Sequence, residues 1–194
     1  MTLRGAMTLT GLGMGNTSTV YLDVEDGAAL TVSGVVYINQ KNGARGVITQ
    51  TGGTVSFTTS GNGDIRIGHW PNATYPSRYD ISGGSLSIPN TTTYVGWDGR
   101  GEMNISGGEV SLKGLSLSNS GNGRGVFTLR GGTLNIGEVG IVRNKRGASG
   151  PASAEVYLGQ GTIHATANQT WGSNLTMSLY GRSADDTADV AGGG

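Results

Sequence analysis

Residues 105–112 read ISGGEVSL and residues 129–136 read LRGGTLNI, which is a glycine pair with alternating apolar residues on both sides. Residues 50–57 (QTGGTVSF) and 81–88 (ISGGSLSI) repeat the pattern, and there are weaker copies at 3–11, 27–32 and 158–165. The first glycine-like positions are 5, 27, 52, 83, 107, 131 and 160, including two consecutive steps of 24 residues. This regularity predicts a repeat protein with one structural unit per copy.

Within each copy the apolar residues recur with a period of two, which is typical of β-strands. Met103 and Ile105 precede one glycine pair, and Val110 and Leu112 follow it with the same parity. A third short strand is predicted after a connector, as at 115–117. Each unit of about 24 residues therefore supplies three strands, and the glycine pair turns the chain between two of them because glycine tolerates positive φ.

These observations predict an all-β fold, a right-handed parallel β-helix in the form of a three-sided β-solenoid with six to seven coils. An antiparallel sandwich also has alternating strands, but its hairpins carry Asn-Gly or Asp-Gly turns between every strand pair. A β-propeller blade needs a longer unit. Residues 1–180 are predicted to form the solenoid, and residues 181–194 a loosely structured tail or the start of a further coil.

The composition limits the possible functions. The 13 basic and 13 acidic residues are scattered singly, so the sequence predicts neither nucleic-acid binding nor a membrane-surface helix. The longest apolar runs are far too short to insert into a bilayer, and the first residues lack the pattern of a signal peptide. There are no cysteines. The two histidines, His69 and His164, lack the spaced partners of a metal site, so we expect no metal and no cofactor.

Insertions are expected at one corner of the solenoid, between the third strand of one coil and the first strand of the next. The inserted segments are 41–45, 71–78, 121–124 and 144–153, and the rest of each coil is more nearly constant. In repeat proteins such insertions commonly form the binding face. Aligning the coils places one column of side chains at the start of these insertions: Gln40, His69, Trp97, Asn119 and Arg143.

The next position along the chain adds Trp70 and Asp98. The inserted segment 71–78 adds Tyr75. Aromatic faces beside amide, acid and guanidinium groups are what saccharide recognition requires. The candidate saccharide site therefore comprises His69, Trp70, Tyr75, Trp97, Asp98, Asn119 and Arg143. The competing interpretation is that these aromatic side chains fill the corner beneath a long loop.

The acids near this corner do not form an evident catalytic pair, so we expect no enzymatic activity. Glycoside hydrolysis needs two carboxylates about 5–10 Å apart. Asp98 is the only acid in the aligned columns, while Asp64, Asp80 and Glu102 are placed on strands of nearby coils. A polysaccharide lyase with Arg143 or Lys145 as base is the second alternative function.

The GG-T-L-x-I repeat and the phrase ANQTWGSNLT at 167–176 resemble the repeat regions of bacterial autotransporter-type passenger domains and related surface β-helices. The resemblance covers most of the chain. It implies an extracellular or bacterial cell-surface scaffold or adhesive stalk, with a polysaccharide or cell-surface glycan as possible partner. Neither end shows an evident cap, so the exposed strand edges predict end-to-end self-association.

Overall fold

The computed structural model describes residues 1–61, 64–71, 75–143, 153–169, 171–172 and 175–179. The strands in these residues are β1 Thr2–Leu3, β2 Ala6–Leu9, β3 Leu12–Met14, β4 Thr19–Val24, β5 Ala29–Val32, β6 Val36–Ile38, β7 Arg45–Gln50, β8 Thr54–Phe57, β9 Ile65–Ile67, β10 Ser77–Ile81, β11 Ser85–Ile88, β12 Thr93–Val95, β13 Arg100–Leu117, β14 Arg124–Arg143, β15 Ser153–Leu158, β16 Thr162–Ala165 and β17 Thr176–Leu179.

The strands stack as coils, and neighbouring coils pair in parallel on three faces. Coils 1 to 4 each contribute three strands, from β1–β3 to β10–β12, while β13 and β14 each run through a whole coil. On the first face β4 pairs with β7 and β7 with β10; on the second face β5 pairs with β8, and on the third β6 with β9. Coil 7 begins with β15 and β16, and β17 lies above β15. The predicted parallel β-solenoid is therefore confirmed.

Alternate residues of each strand point inward and stack on the equivalent residues of the coils above and below. One such column runs through the first face: Leu22, Ile48, Tyr79, Met103, Phe127 and Val156. Nearly all inward residues of coils 2 to 6 are fully buried in one continuous apolar core. At roughly 25 cal/mol per Å² of apolar surface removed from water, this burial is the main force that holds the coils together. The predicted inward parity, including that of Tyr79, is confirmed.

The glycine pair forms the corner between the first and second faces. Gly53, Gly84, Gly108 and Gly132 stack in consecutive coils with φ between 63° and 76°. A Cβ atom on Gly84 would lie 2.3 Å from the carbonyl oxygen of Gly53. This corner therefore requires glycine for two reasons: the backbone has a positive φ, and the coil below approaches too closely for a Cβ atom.

A hydrogen-bonded polar pair interrupts the apolar column of the first face. Gln50 lies inward between Val24 and Ile81, and its side chain is fully buried. Its Oε1 accepts a hydrogen bond of 2.8 Å from the Tyr79 hydroxyl, and its Nε2 donates one of 2.9 Å to Ser85 O. Burial raises the pKa of Tyr79, so this hydroxyl stays a donor. Both ends of the Gln50 amide are thus satisfied inside the core.

The three corners differ in how much their length varies, and one expectation was wrong. Across the glycine corner the inward positions are five residues apart in coils 3 to 7. The third corner varies, as predicted. The second corner, between the second and third faces, was expected to be nearly constant, yet its inward positions are three residues apart in coil 5 and eight in coil 3. The strands on either side of this corner keep their parallel pairing in both coils, so the corner accepts connections of different length.

The top of the core is covered at the third face by Trp171. Gly172 N donates to Ile141 O, which places Trp171 above the third strand of coil 6. Its indole packs against the core and donates to Gln169 Oε1 at 3.1 Å. The proposed tail at 181–194 lies outside the described residues.

Candidate functional site

A compact aromatic cluster covers the outer side of the third face. Tyr37, Arg66 and Tyr94 are outward residues in register on β6, β9 and β12. His69 and Trp97 come from the corner that follows β9 and β12. The cluster thus combines sheet residues from three coils with corner residues from two, and solenoid stacking alone brings them together.

Arg66 is the centre of this cluster. Its guanidinium carbon lies 3.6 Å from the centre of the Trp97 ring and 5.0 Å from that of Tyr37. A guanidinium sandwiched between aromatic faces is a favourable cation–π arrangement, worth roughly 0.5–2 kcal/mol per pair. Burial is the main reason that the pKa of Arg66 is lowered, yet arginine remains charged at any ordinary pH.

His69 is neutral in this arrangement. Its ring stacks on Tyr37 at 4.5 Å, and its Nδ1 lies 2.9 Å from Arg66 Nη1. Since arginine can only donate, Nδ1 must accept, and the ring proton lies on Nε2. The pKa of His69 is lowered to about 4, chiefly by burial and then by the charge of Arg66, while Asp98 opposes the shift.

Trp97 is a packing residue of the cluster. One face of its indole is covered by Arg66, and Tyr94 meets it edge-on with ring centres 4.8 Å apart. Its side chain is half-buried, and that of Tyr94 is buried although it points away from the core. For Trp97, therefore, the geometry favours the packing interpretation over a sugar-stacking platform.

Trp70 and Tyr75 are the exposed aromatic residues of the corner, with 44% and 60% of their surface accessible. Trp70 meets His69 edge-on at 5.2 Å, and its backbone is fixed by Asn39, which bonds both to its N–H and to its carbonyl. Tyr75 lies under the guanidinium of Arg45 at 5.6 Å. Both rings present apolar surface to solvent, and the backbone of Trp70 is anchored on the buried Asn39.

The remaining predicted site residues do not join this aromatic surface. Asp98 accepts a hydrogen bond of 2.5 Å from Ser120 Oγ at the corner. Asn119 lies above Trp97 as predicted, but it is only 2% exposed and its Oδ1 has no hydrogen-bond partner. It fills the corner from within instead of facing a ligand.

The coil alignment wrongly assigned Arg143 to the column of Asn119. It pairs with Leu117, two residues before the position of Asn119. The cause is a register shift after Leu112, where coil 6 contains two more residues than coil 5. Lys145, the other basic residue considered for a lyase, lies outside the described residues, so the lyase alternative stays a prediction.

Sequence reasoning missed Tyr37, Arg66 and Tyr94. The sequence does contain a pattern that indicates them. All three are the middle, outward residue of the third strand of their coil, in VYI, IRI and TYV. An outward stack of large side chains on neighbouring coils indicates a packed surface cluster as clearly as the inward stack indicates a core.

Comparison with protein-family models, curated proteins and solved structures finds no match for this chain. The resemblance to autotransporter-type passenger domains therefore rests on the repeat pattern, and the structure supports its architecture alone. In the described part of the chain there is no helix long and apolar enough to cross a membrane. The same residues contain no group of three or more acids and histidines suited to a metal ion.

The neutral state of His69 predicts a pH-dependent stability. The unfolded chain binds a proton on this histidine as the pH falls below about 6.5, whereas the folded chain binds it only near pH 4. The unfolded state thus takes up more protons between these values, and stability falls as the pH is lowered from 6.5 to 4. Protonation also removes the acceptor for Arg66.

We expect the urea midpoint of the wild type to fall across this window more steeply than that of His69→Gln, whose amide oxygen can still accept from Arg66. Carboxylates titrate in both proteins, so the difference between the two curves reports His69. Parallel curves between pH 6.5 and 4 would show that His69 has an ordinary pKa in the folded protein.

Proposed function

We propose that this chain is a rigid scaffold segment, a stalk, of a protein exposed on a bacterial surface. The observation that carries the proposal is the parallel pairing of six complete coils around one apolar core. Each coil adds about 4.8 Å of length with its backbone hydrogen-bonded to both neighbours, which makes a stiff rod from a short repeat. The repeat pattern, similar to that of surface β-helices, supports the location.

The first test is mechanical. The outward column of the second face runs from Thr8 to His164 in six steps, so these backbone positions should lie roughly 29 Å apart. The chain has no cysteine, so Thr8→Cys with His164→Cys allows two spin labels to be placed cleanly. We expect pulsed electron–electron double resonance to give one narrow distribution of the distance between the two labels. A broad or bimodal distribution would contradict a rigid scaffold.

The second test concerns location. Antibodies raised against the folded chain should label intact cells of the organism that produces it. Labelling that requires permeabilised cells would refute the surface assignment while leaving the rigid rod intact.

Glycan adhesion at the third corner is a second candidate function. The exposed rings of Trp70 and Tyr75 favour it, because aromatic faces held on a rigid base stack well on sugars. If this corner binds, soluble polysaccharide should retard the wild type in affinity electrophoresis, and Trp70→Ala should remove the retardation. Tyr21→Ala, which removes an aromatic ring of similar exposure from β4, is the matched control and should be retarded like the wild type.

A further inference from the structure

A trough of about 740 Å³ crosses the second corner, on a different side of the solenoid from Trp70. Its lining comes from five consecutive coils and includes Pro89, Ser111, Leu112, Lys113, Asn135 and Glu138. Its size is within the ordinary range of ligand sites, about 300–1,000 Å³.

The trough exists because corner lengths vary. Among coils 3 to 6, the connection between inward positions is shortest in coil 5, from Leu112 to Leu115. Ser111, Leu112 and Lys113 of this short connection line the trough, together with Pro89 of coil 4 and Glu138 of coil 6. The lining runs over coils 3 to 7, four coil spacings or about 19 Å, so a ligand lying along the stack would contact several coils.

The lining carries hydrogen-bond donors and acceptors side by side. Lys113 Nζ lies 3.3 Å from Glu138 Oε1, and Asn135 Nδ2 donates to Ser111 Oγ at 3.2 Å. Lys113 and Glu138 neutralise each other at an exposed site. Paired donors and acceptors without net charge match neighbouring sugar hydroxyls, each of which both donates and accepts.

Other polymers fit the trough less well. An extended peptide that binds by strand addition needs a free sheet edge, but β13 and β14, which form the floor, pair with strands on both sides. A nucleic acid needs several cations for its phosphates, and the trough offers one lysine beside a glutamate.

We propose that this trough binds a neutral polysaccharide chain. The scaffold would then carry a ligand site on its second corner, and the glycan would contact hydroxyl and amide groups from several coils. The site depends on the second corner only, so it stands or falls independently of the rigid-rod measurement, and the Trp70→Ala variant distinguishes it from glycan binding at the third corner.

The test is affinity electrophoresis in gels that contain mixed-linkage β-glucan, galactomannan or polygalacturonate. Ser111→Trp places an indole on the trough floor, at an outward position that leaves the core unchanged. Ser56→Trp is the matched control, because Ser56 belongs to the same outward column two coils earlier and lies outside the trough. Circular dichroism melting should show that both variants fold like the wild type.

We expect at least one of the two neutral polymers to retard the wild type, Ser56→Trp and Trp70→Ala, and to leave Ser111→Trp unretarded. The proposal is overturned if Ser111→Trp is retarded like the wild type, or if Trp70→Ala alone removes the retardation. It is equally overturned if neither neutral polymer retards the wild type, or if polygalacturonate alone does.

Discussion

Replacing Ile105 by Asp should destabilise the protein by more than about 4 kcal/mol and leave it largely unfolded at room temperature. Ile105 is 1% exposed and stacks between Ile81 and Leu129 in the middle of the first face. A carboxylate at this position would be surrounded by apolar side chains of three coils with no cation to pair with. It would have to remain protonated or expel its own coil from the stack.

Two variants calibrate this result. Ile105→Val removes one methylene and should cost about 1 kcal/mol. Ser106→Asp introduces the same acid at the next residue, which is exposed, and should cost less than about 1 kcal/mol. Urea denaturation followed by circular dichroism measures all three. If Ile105→Asp melted like Ser106→Asp, the inward assignment of this column would be wrong.

Gly84→Ala should cost about 3 kcal/mol or more, which is unusual for the addition of one methyl group. Its φ of 72° is unfavourable for alanine, and the new Cβ would lie 2.3 Å from Gly53 O and 2.5 Å from the carbonyl carbon of Gly52. These atoms belong to the backbone of the coil below, which cannot move aside without breaking its own pairing.

Gly27→Ala separates the two causes. Gly27 has a φ of 77°, but a Cβ atom there would meet nothing within 4 Å. Only the conformational penalty remains, about 1 kcal/mol. Denaturation of both variants should therefore show a difference of about 2 kcal/mol or more between two glycines of the same backbone conformation. Equal losses would mean that coil stacking imposes no steric limit at the glycine corner.

The fold could be predicted from the sequence because its two determinants are local and repeated. The period of two identifies which residues are inward, and the glycine pair marks a corner of constant length. Residues such as Ile105 and Val110 were therefore placed correctly without any knowledge of the neighbouring coils. Because the same local pattern recurs in every coil, aligning the copies also predicts which residues of neighbouring coils pair.

The candidate site was harder to predict because it depends on corner lengths, and a corner can gain residues without any change in the strands. Two additional residues after Ile136 displaced Arg143 from the column where alignment had placed it. The trough at Lys113 was missed for the same reason. The role of Trp97 depended on Arg66, a residue on another coil whose outward position had not been considered.

Gln50 also bears on how the coils find their correct neighbours. The repeats are so alike that a nascent coil could dock one step too early or too late and still bury apolar side chains. If coil 5 settled on coil 3, Met103 would replace Tyr79 above Ile48, and Gln50 Oε1 would lose its hydroxyl donor. A buried acceptor without a donor costs about 1–3 kcal/mol. This one amide therefore gives an otherwise repetitive chain a reference point that penalises misaligned folding.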